Sequence, residues 1–216
     1  MNRVISYSLW GDNPKYTVGA IKNAELAIEI YPGWKCRYYI SDTVPFRAIK
    51  DIEDIFNTEI FIKHGYRDGW ENAFWRNETC WDKDISVSIF RDTDSRLSYR
   101  EKYAVDEWLN SNKTFHIMRD HPYHKFEMLA GMWGYKKNEI YDMKYLFSSF
   151  NPSNSYWTEY QFFRNILFPA IGDDKITHDE FFENKPFPTK RINKEFVGDV
   201  FDENDVRHPE YWKLIP

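Results

Sequence analysis

Ile85-Ser86-Val87-Ser88-Ile89-Phe90, running into Arg91-Asp92-Thr93-Asp94-Ser95-Arg96-Leu97, is the stretch that decides how this chain folds. The first six residues read as a buried strand. Ser98-Tyr99-Arg100-Glu101 then has the pattern of a capping box and opens a helix through Ala104, Val105, Trp108 and Leu109. Two carboxylates therefore stand at a strand-to-helix junction. In extended backbone, side chains two residues apart point the same way. Asp92 and Asp94 are thus expected to reach one hard divalent cation that keeps its other positions for water and substrate phosphate. Asp-x-Asp by itself also occurs in ordinary acidic turns; the strand end, the helix cap and the flanking Arg91 and Arg96 point to a metal and phosphate role.

Working back from that strand, the chain alternates strand and helix patterns. Arg3 to Ser8 reads as a β-branched strand, and Asn13-Pro14 caps a helix with the face Val18, Ile21, Ala24 and Ile28, ending near Pro32-Gly33. Trp34 to Ile40 reads as a second strand. Asp42 or Thr43 caps a second helix carrying Ile49, Ile52 and Ile55, and Thr58 to Ile62 is a third strand. A turn from Gly65 to Gly69 leads into an aromatic helix from Trp70 to Trp81. This order predicts an α/β fold, a mainly parallel sheet with helices on both faces, with ligands bound beyond the carboxyl ends of the strands. Asp92 and Asp94 lie at such an end, as does the loop Leu9-Trp10-Gly11-Asp12.

Working forward, Lys113 to Met118 reads as a strand that empties into Arg119-Asp120-His121-Pro122-Tyr123-His124. Gly131-Met132-Trp133-Gly134-Tyr135 reads as a strand with small residues where something packs close. Helices are expected over Glu139–Phe150 and Glu159–Phe168, a short strand at Lys175-Ile176-Thr177, and a wrapping tail from Glu183. One domain over 1–216 is expected.

The 216 residues carry 29 Lys and Arg against 34 Asp and Glu, a formal charge of -5, which argues against a nucleic-acid backbone as partner. An acidic protein that takes an anionic ligand needs local compensation, which a metal and a few arginines supply. Cys36 and Cys80 lack redox or zinc spacing and read as packed thiols. No run approaches the length of a membrane span, and the amino terminus lacks a secretory pattern, so a cytoplasmic protein is expected, in the host cytoplasm if the source is viral. The 9 Trp, 15 Tyr and 17 Phe exceed what a core requires and suit sugar-handling surfaces as well as packing. Oligomeric state is open on this reading.

Other candidates each have a plain alternative. Asp120, His121 and His124 could bind zinc, line a substrate pocket through hydrogen bonds to hydroxyls, or form a satisfied polar loop; the pocket wall is preferred, with Arg119 and Trp133 beside it. His178 follows a strand and is the candidate third metal ligand, although a lone histidine is more often structural. Arg76, among aromatics, either orients Asp92 or Asp94, contacts the nucleotide, or lies on the surface. Glu159 and Gln161 could reach the reacting sugar carbon or simply open a helix.

Together Phe90 to Leu97, Ala104 to Leu109, Phe115 to Pro122 and Ser8 to Tyr16 resemble the nucleotide-sugar glycosyltransferases of the GT-A fold, and within them a little-characterised set of bacterial and viral members. The resemblance implies a GT-A-like α/β/α sandwich with a mainly parallel mixed sheet. It also implies a nucleotide half over 1–97 and a donor-sugar and acceptor half over 98–216, a metal, Mn2+ or Mg2+, held by Asp92 and Asp94, a nucleoside diphosphate sugar as donor (UDP preferred, GDP possible), and a glycan or other hydroxyl acceptor. Nucleotide contacts are then expected from Ser8, Leu9, Trp10, Tyr16, Arg76, Arg91, Thr93 and Lys185. Retaining, glycogenin-like members carry a late metal-binding histidine followed by Lys-Pro, to which His178 with Lys185-Pro186 is similar. They also carry an Asp-Gln pair near the sugar. Here Glu159-Tyr160-Gln161 keeps the glutamine but has tyrosine at the aspartate position. Retention is preferred; inversion would call on Asp120 or Glu159 as base. The rival readings are a metal-dependent hydrolase or nucleotidyltransferase using the same pair, and a non-catalytic glycan-binding protein.

Overall fold

Among the described residues, seven strands form one mixed sheet in the order β3-β2-β1-β4-β6-β5-β7. The structure, a computed structural model, describes residues 2–216. β1 (Arg3–Leu9), β2 (Lys35–Ser41), β3 (Thr58–Lys63) and β4 (Val87–Phe90) are mutually parallel, as are β5 (Phe115–Arg119) and β7 (Lys175–Asp179). Only β6 (Trp133–Lys136) runs the other way, between β4 and β5. The mainly parallel sheet predicted from the strand-helix alternation is therefore present, with one reversed strand.

Period-2 alternation sorts the two layers. Ile5, Tyr7 and Leu9 with Val87 and Ile89 face α1 (Pro14–Ile30), α2 (Phe46–Glu53) and α3 (Tyr99–Asn110), giving a core that includes Ala20, Ala24, Val105 and Trp108. Phe90, Phe115 and Ile117 face the opposite layer, built on Phe147, Phe162 and Phe163. There Trp133 stacks on Phe90 at 4.0 Å between centroids. That layer contains α4 (Met143–Ser148), α5 (Thr158–Phe162), a π-helical turn (Phe163–Leu167) and α6 (Phe168–Ile171). The helix expected over Glu159–Phe168 thus continues to Ile171 with a widened turn. Pro169 explains the widening: it has no N–H to donate and its ring crowds the preceding turn.

Three local expectations change. Trp70–Cys80 is a 3-10 helix, unusually long for its kind. Serines of β1 support it: Ser6 Oγ donates to Arg76 O at 2.7 Å, and Ser8 Oγ donates to Ala73 O at 3.0 Å while accepting from Arg76 N at 2.9 Å. α2 begins after Pro45, without a side-chain cap. Asp42 instead accepts from Gly65 N, and Thr43 bonds Gly11 N and Asp68. The helix expected over Glu139–Phe150 shrinks to α4, capped by Asp142. The tail packs back on the sheet: Val200 bridges Ser95, Phe201 N donates to Asp94 O at 2.9 Å, and α7 (Pro209–Trp212) follows. Among the described residues no helix is long and apolar enough to cross a membrane.

Candidate active site

Between β1 and β4 the chain reverses the direction in which it lays down strands, and at such a switch point the loops leaving the two strands diverge and open a crevice. The loop after β1 supplies Trp10 and, through the N-terminus of α1, Lys15 and Tyr16; the loop after β4 supplies Asp92 and Asp94. The acidic pair is not extended. Ser95 N and Oγ both donate to Asp92 O, at 3.4 and 2.9 Å, closing a turn that sends the two carboxylates to different partners.

Asp92 turns towards the 3-10 helix, where Arg76 Nη1 donates to its Oδ1 at 2.5 Å. The same guanidinium donates through Nη2 to both oxygens of Glu159, at 2.9 and 2.7 Å, and through Nη1 to Arg91 O. Burial opposes the charge on Arg76, but Glu159 and Asp92 outweigh it and raise its pKa. Burial holds Glu159 above the usual carboxylate range, with Arg76 opposing. Asp94 turns towards α1, where Lys15 Nζ lies 2.7 Å from its Oδ2. Burial and then the charge of Asp92 hold the Asp94 carboxyl above its ordinary value, against the pull of Lys15. Two carboxylates close enough for the charge of Asp92 to be felt at Asp94, each with a cation in attendance, make a site that prefers added positive charge.

Three residues that sequence reasoning did not assign to the site hold this loop. A Cβ on Gly19 of α1 would lie 2.0 Å from Thr93 O, so only glycine lets the helix approach the loop backbone. Asn23 Nδ2 donates to Thr93 O and Ser95 O, at 3.2 and 2.8 Å, while its Oδ1 accepts from Leu97 N. A Cβ on Gly131 would lie 2.0 Å from Asp92 Oδ2, which makes Gly131 the floor under that carboxylate. A glycine inside the otherwise apolar helix pattern of α1 costs about 1 kcal/mol against alanine, and that was the available signal for Gly19.

Several predicted site residues are taken up by packing or ion pairs, or are exposed apart from the acidic pair. Asp120 is fully buried and saturated: Arg100 donates to it at 2.7 and 2.9 Å, Arg191 at 2.6 Å and Val197 N at 2.9 Å. Arg119 pairs with Asp179 and Glu183. His121 Nδ1 accepts from Tyr123 N, which leaves Nε2 to donate to Tyr211 O. Trp133 is wholly in the core. Arg91 is buried against Glu101 and the carbonyls of Phe90 and Trp133, and Glu101 also accepts from Tyr31, so the capping box closes only on its Ser98 side. Ser8 and Leu9 are buried within β1. Gln161 is exposed on the helix face away from Glu159, and Lys185 is exposed beside Glu183.

His178 is the main correction. The register aligns Phe90, Trp133, Ile117 and Thr177 in one row across β4, β6, β5 and β7. Three strand spacings, about 14 Å, therefore separate β7 from β4. His178 Nδ1 meets His116 Nε2 at 2.8 Å, and its Nε2 faces Glu107 at 3.7 Å. Among the described residues no three His, Cys, Asp or Glu side chains group as a metal cage. The donor set that remains, two carboxylates and no cage, fits an ion of the Mg2+ type that takes one or two protein carboxylates and completes its shell with water and ligand phosphate. Gly131 keeps the Asp92 carboxylate seated for it. Cavities of about 690 Å³, beside Arg207 and Trp212, and about 490 Å³, beside Asp84 and Lys137, are lined by neither Asp92 nor Asp94.

By sequence, no protein family matches the chain and no curated protein does. By structure, the chain is similar to 4-diphosphocytidyl-2C-methyl-D-erythritol synthase from Anaerococcus prevotii, at 13% identity and a TM-score of 0.51, over 88% of this chain and 91% of that one. It is also similar to glucosyl-3-phosphoglycerate synthase from Mycobacterium tuberculosis, solved with UDP, at 14% identity and a TM-score of 0.50, over 89% of this chain and 73% of that one. The fold is of the GT-A type. At these identities the likeness is one of fold alone.

His124, packed against Asp120 and Phe196, offers a test of the packing. Its Nδ1 accepts from Asp120 N at 3.0 Å, and burial, then His121, pushes its pKa down to about 3. Because the unfolded ring titrates near 6.5, the unfolded chain binds the proton first. His124 therefore contributes stability in full above about pH 6.5 and loses it as pH falls towards 3, by up to about 1.4 kcal/mol per unit. Asp199, raised to about 6 by burial, works in the opposite sense, losing its contribution as pH rises through about 6. Between pH 7 and 5, urea unfolding of the wild type is expected to lose about 1–2 kcal/mol more than His124→Asn. Equal losses would show that the ring is not held neutral.

Proposed function

We propose that this protein is a metal-dependent glycosyltransferase that moves a sugar from a nucleoside diphosphate sugar, UDP-linked by preference, to a hydroxyl of a glycan or similar acceptor. The observation that carries the reading is the position of Asp92 and Asp94 just past β4 at the switch point, Asp94 facing the N-terminus of α1 and Asp92 facing Arg76. That end of the sheet is where GT-A and related folds take nucleotides. When bound at the two carboxylates, Mn2+ or Mg2+ would neutralise the diphosphate as a Lewis acid. Arg76 bridges Asp92 and Glu159; Trp10 and Tyr16 would flank the nucleotide, and Glu159 would face the sugar.

Neither carboxylate considered as a base is free to act. Asp120 is saturated by its four donors, and Glu159 is clamped by Arg76. This supports retention, with the acceptor hydroxyl attacking from the side of the departing diphosphate and losing its proton to that diphosphate rather than to the protein. UDP is preferred on the family resemblance of the sequence.

Calorimetric titration with UDP and with GDP, each with Mn2+ and with chelator, tests the reading on the wild type and on Asp92→Asn/Asp94→Asn. One nucleotide is expected to bind only with metal and to weaken at least about 100-fold in the folded double variant. Failure of both nucleotides to bind would remove the proposal. Transfer of the sugar to an added acceptor, rather than to water alone, then separates a transferase from a hydrolase or nucleotidyltransferase.

A further inference from the structure

Each carboxylate of the acidic pair is attended by a cation, and the two cations are built differently. Arg76 is 4% exposed at its side chain and held by Glu159, Asp92 and a main-chain carbonyl. Lys15 is 29% exposed, and its ammonium has Asp94 as its ion-pair partner, with the Tyr16 ring 5.3 Å away. Arg76 is held on several sides; Lys15 is a point charge on a flexible stem with one ion-pair partner. Lys15 is also misplaced by ordinary helix rules. It is the second residue of α1, a helix of 17 residues with no acidic side chain in its first turn, and a cation there opposes the helix dipole. Asp94 compensates in the structure as it stands, but an ion on Asp94 would repel the ammonium at this distance.

We infer that Lys15 is an exchangeable counter-ion: it occupies Asp94 while the site is empty and moves to the ligand diphosphate when a divalent cation takes Asp94. The inference rests on the metal and diphosphate reading above. A metal arriving alone has to displace Lys15 and leaves it unpaired beside a positive helix end. A metal arriving with a diphosphate gives the ammonium a new anion at that same end. Loading of metal and nucleotide is thereby coupled, and the Lys15 contact supplies the coupling.

The test measures Mn2+ alone by its free-ion electron paramagnetic signal, and UDP by calorimetry at saturating Mn2+. Lys15→Met and Lys15→Gln are the probes, with folding checked by circular dichroism. Both variants are expected to bind Mn2+ alone about tenfold tighter and UDP with Mn2+ about tenfold weaker than the wild type. Opposite shifts in the two affinities are not what general damage to α1 produces. Unchanged or weaker Mn2+ binding, or unchanged UDP binding, in the folded variants overturns the inference. Asp94→Asn distinguishes the two levels of argument. Loss of Mn2+ binding there preserves the site reading even if the lysine variants fail, whereas wild-type Mn2+ binding there removes both.

Discussion

Gly131→Ala is expected to abolish metal-dependent nucleotide binding while leaving the protein folded. The added Cβ would lie 2.0 Å from Oδ2 and 2.5 Å from Cγ of Asp92. Asp92 is half exposed, so its side chain can swing into solvent without disturbing the core. In doing so it gives up Arg76 and its place beside Asp94. The expected loss is at least about 100-fold in affinity for the metal–nucleotide pair, with an unfolding free energy changed by less than about 1 kcal/mol. Gly134→Ala is the control. Its Cβ would meet the Trp108 ring at 2.9 Å, so the cost falls on core packing and on stability. If Gly131→Ala binds nucleotide like the wild type, Asp92 is not a ligand of the metal.

Asp120→Asn is expected to destabilise the protein by about 3–5 kcal/mol, because it leaves buried guanidinium charge without its counter-charge. Arg100 and Arg191 both converge on this carboxylate, their side chains 1% and 16% exposed, and Asp120 itself is fully buried. It also accepts from Val197 N, so the substitution loosens the tail where it crosses the sheet. Urea unfolding measures the loss directly. A folded variant of wild-type stability whose transfer rate falls a hundredfold or more would instead make Asp120 a catalytic base, and would revive inversion.

The two expectations for Asp120 show where sequence reading reaches and where it stops. Arg119-Asp120-His121-Pro122-Tyr123-His124 is dense in reactive side chains, and its composition suits either a pocket or an ion-pair network. The difference lies in Arg100, Arg191 and Val197, which are brought to Asp120 from 20, 71 and 77 residues away. No local pattern contains them. His178 failed as a ligand for a related reason. Its strand ends at the same end of the sheet as Asp92, which the strand-helix order makes legible. Its lateral position, three strands over, depends on β5, β6 and β7 pairing in an order that does not follow the sequence.

Arg76 and Glu159 were legible as candidates, and the structure joins them to Asp92 in one bridge. Lys15 was visible only as part of the opening stretch, and its partner Asp94 could not be named from sequence.

What the sequence by itself determined was the layer architecture and the end of the sheet at which ligand chemistry belongs. Alternation of period 2 and period 3.6, with caps such as Asn13 and Ser98, is local physics and survives translation into structure nearly unchanged. Only the tertiary structure decided which of the polar side chains at that end are free. A buried charge must find a partner, and the partner comes from whatever segment the fold places beside it. Asp120 found two arginines and closed; Asp92 kept an open oxygen over Gly131, where a single missing methyl group leaves room for it.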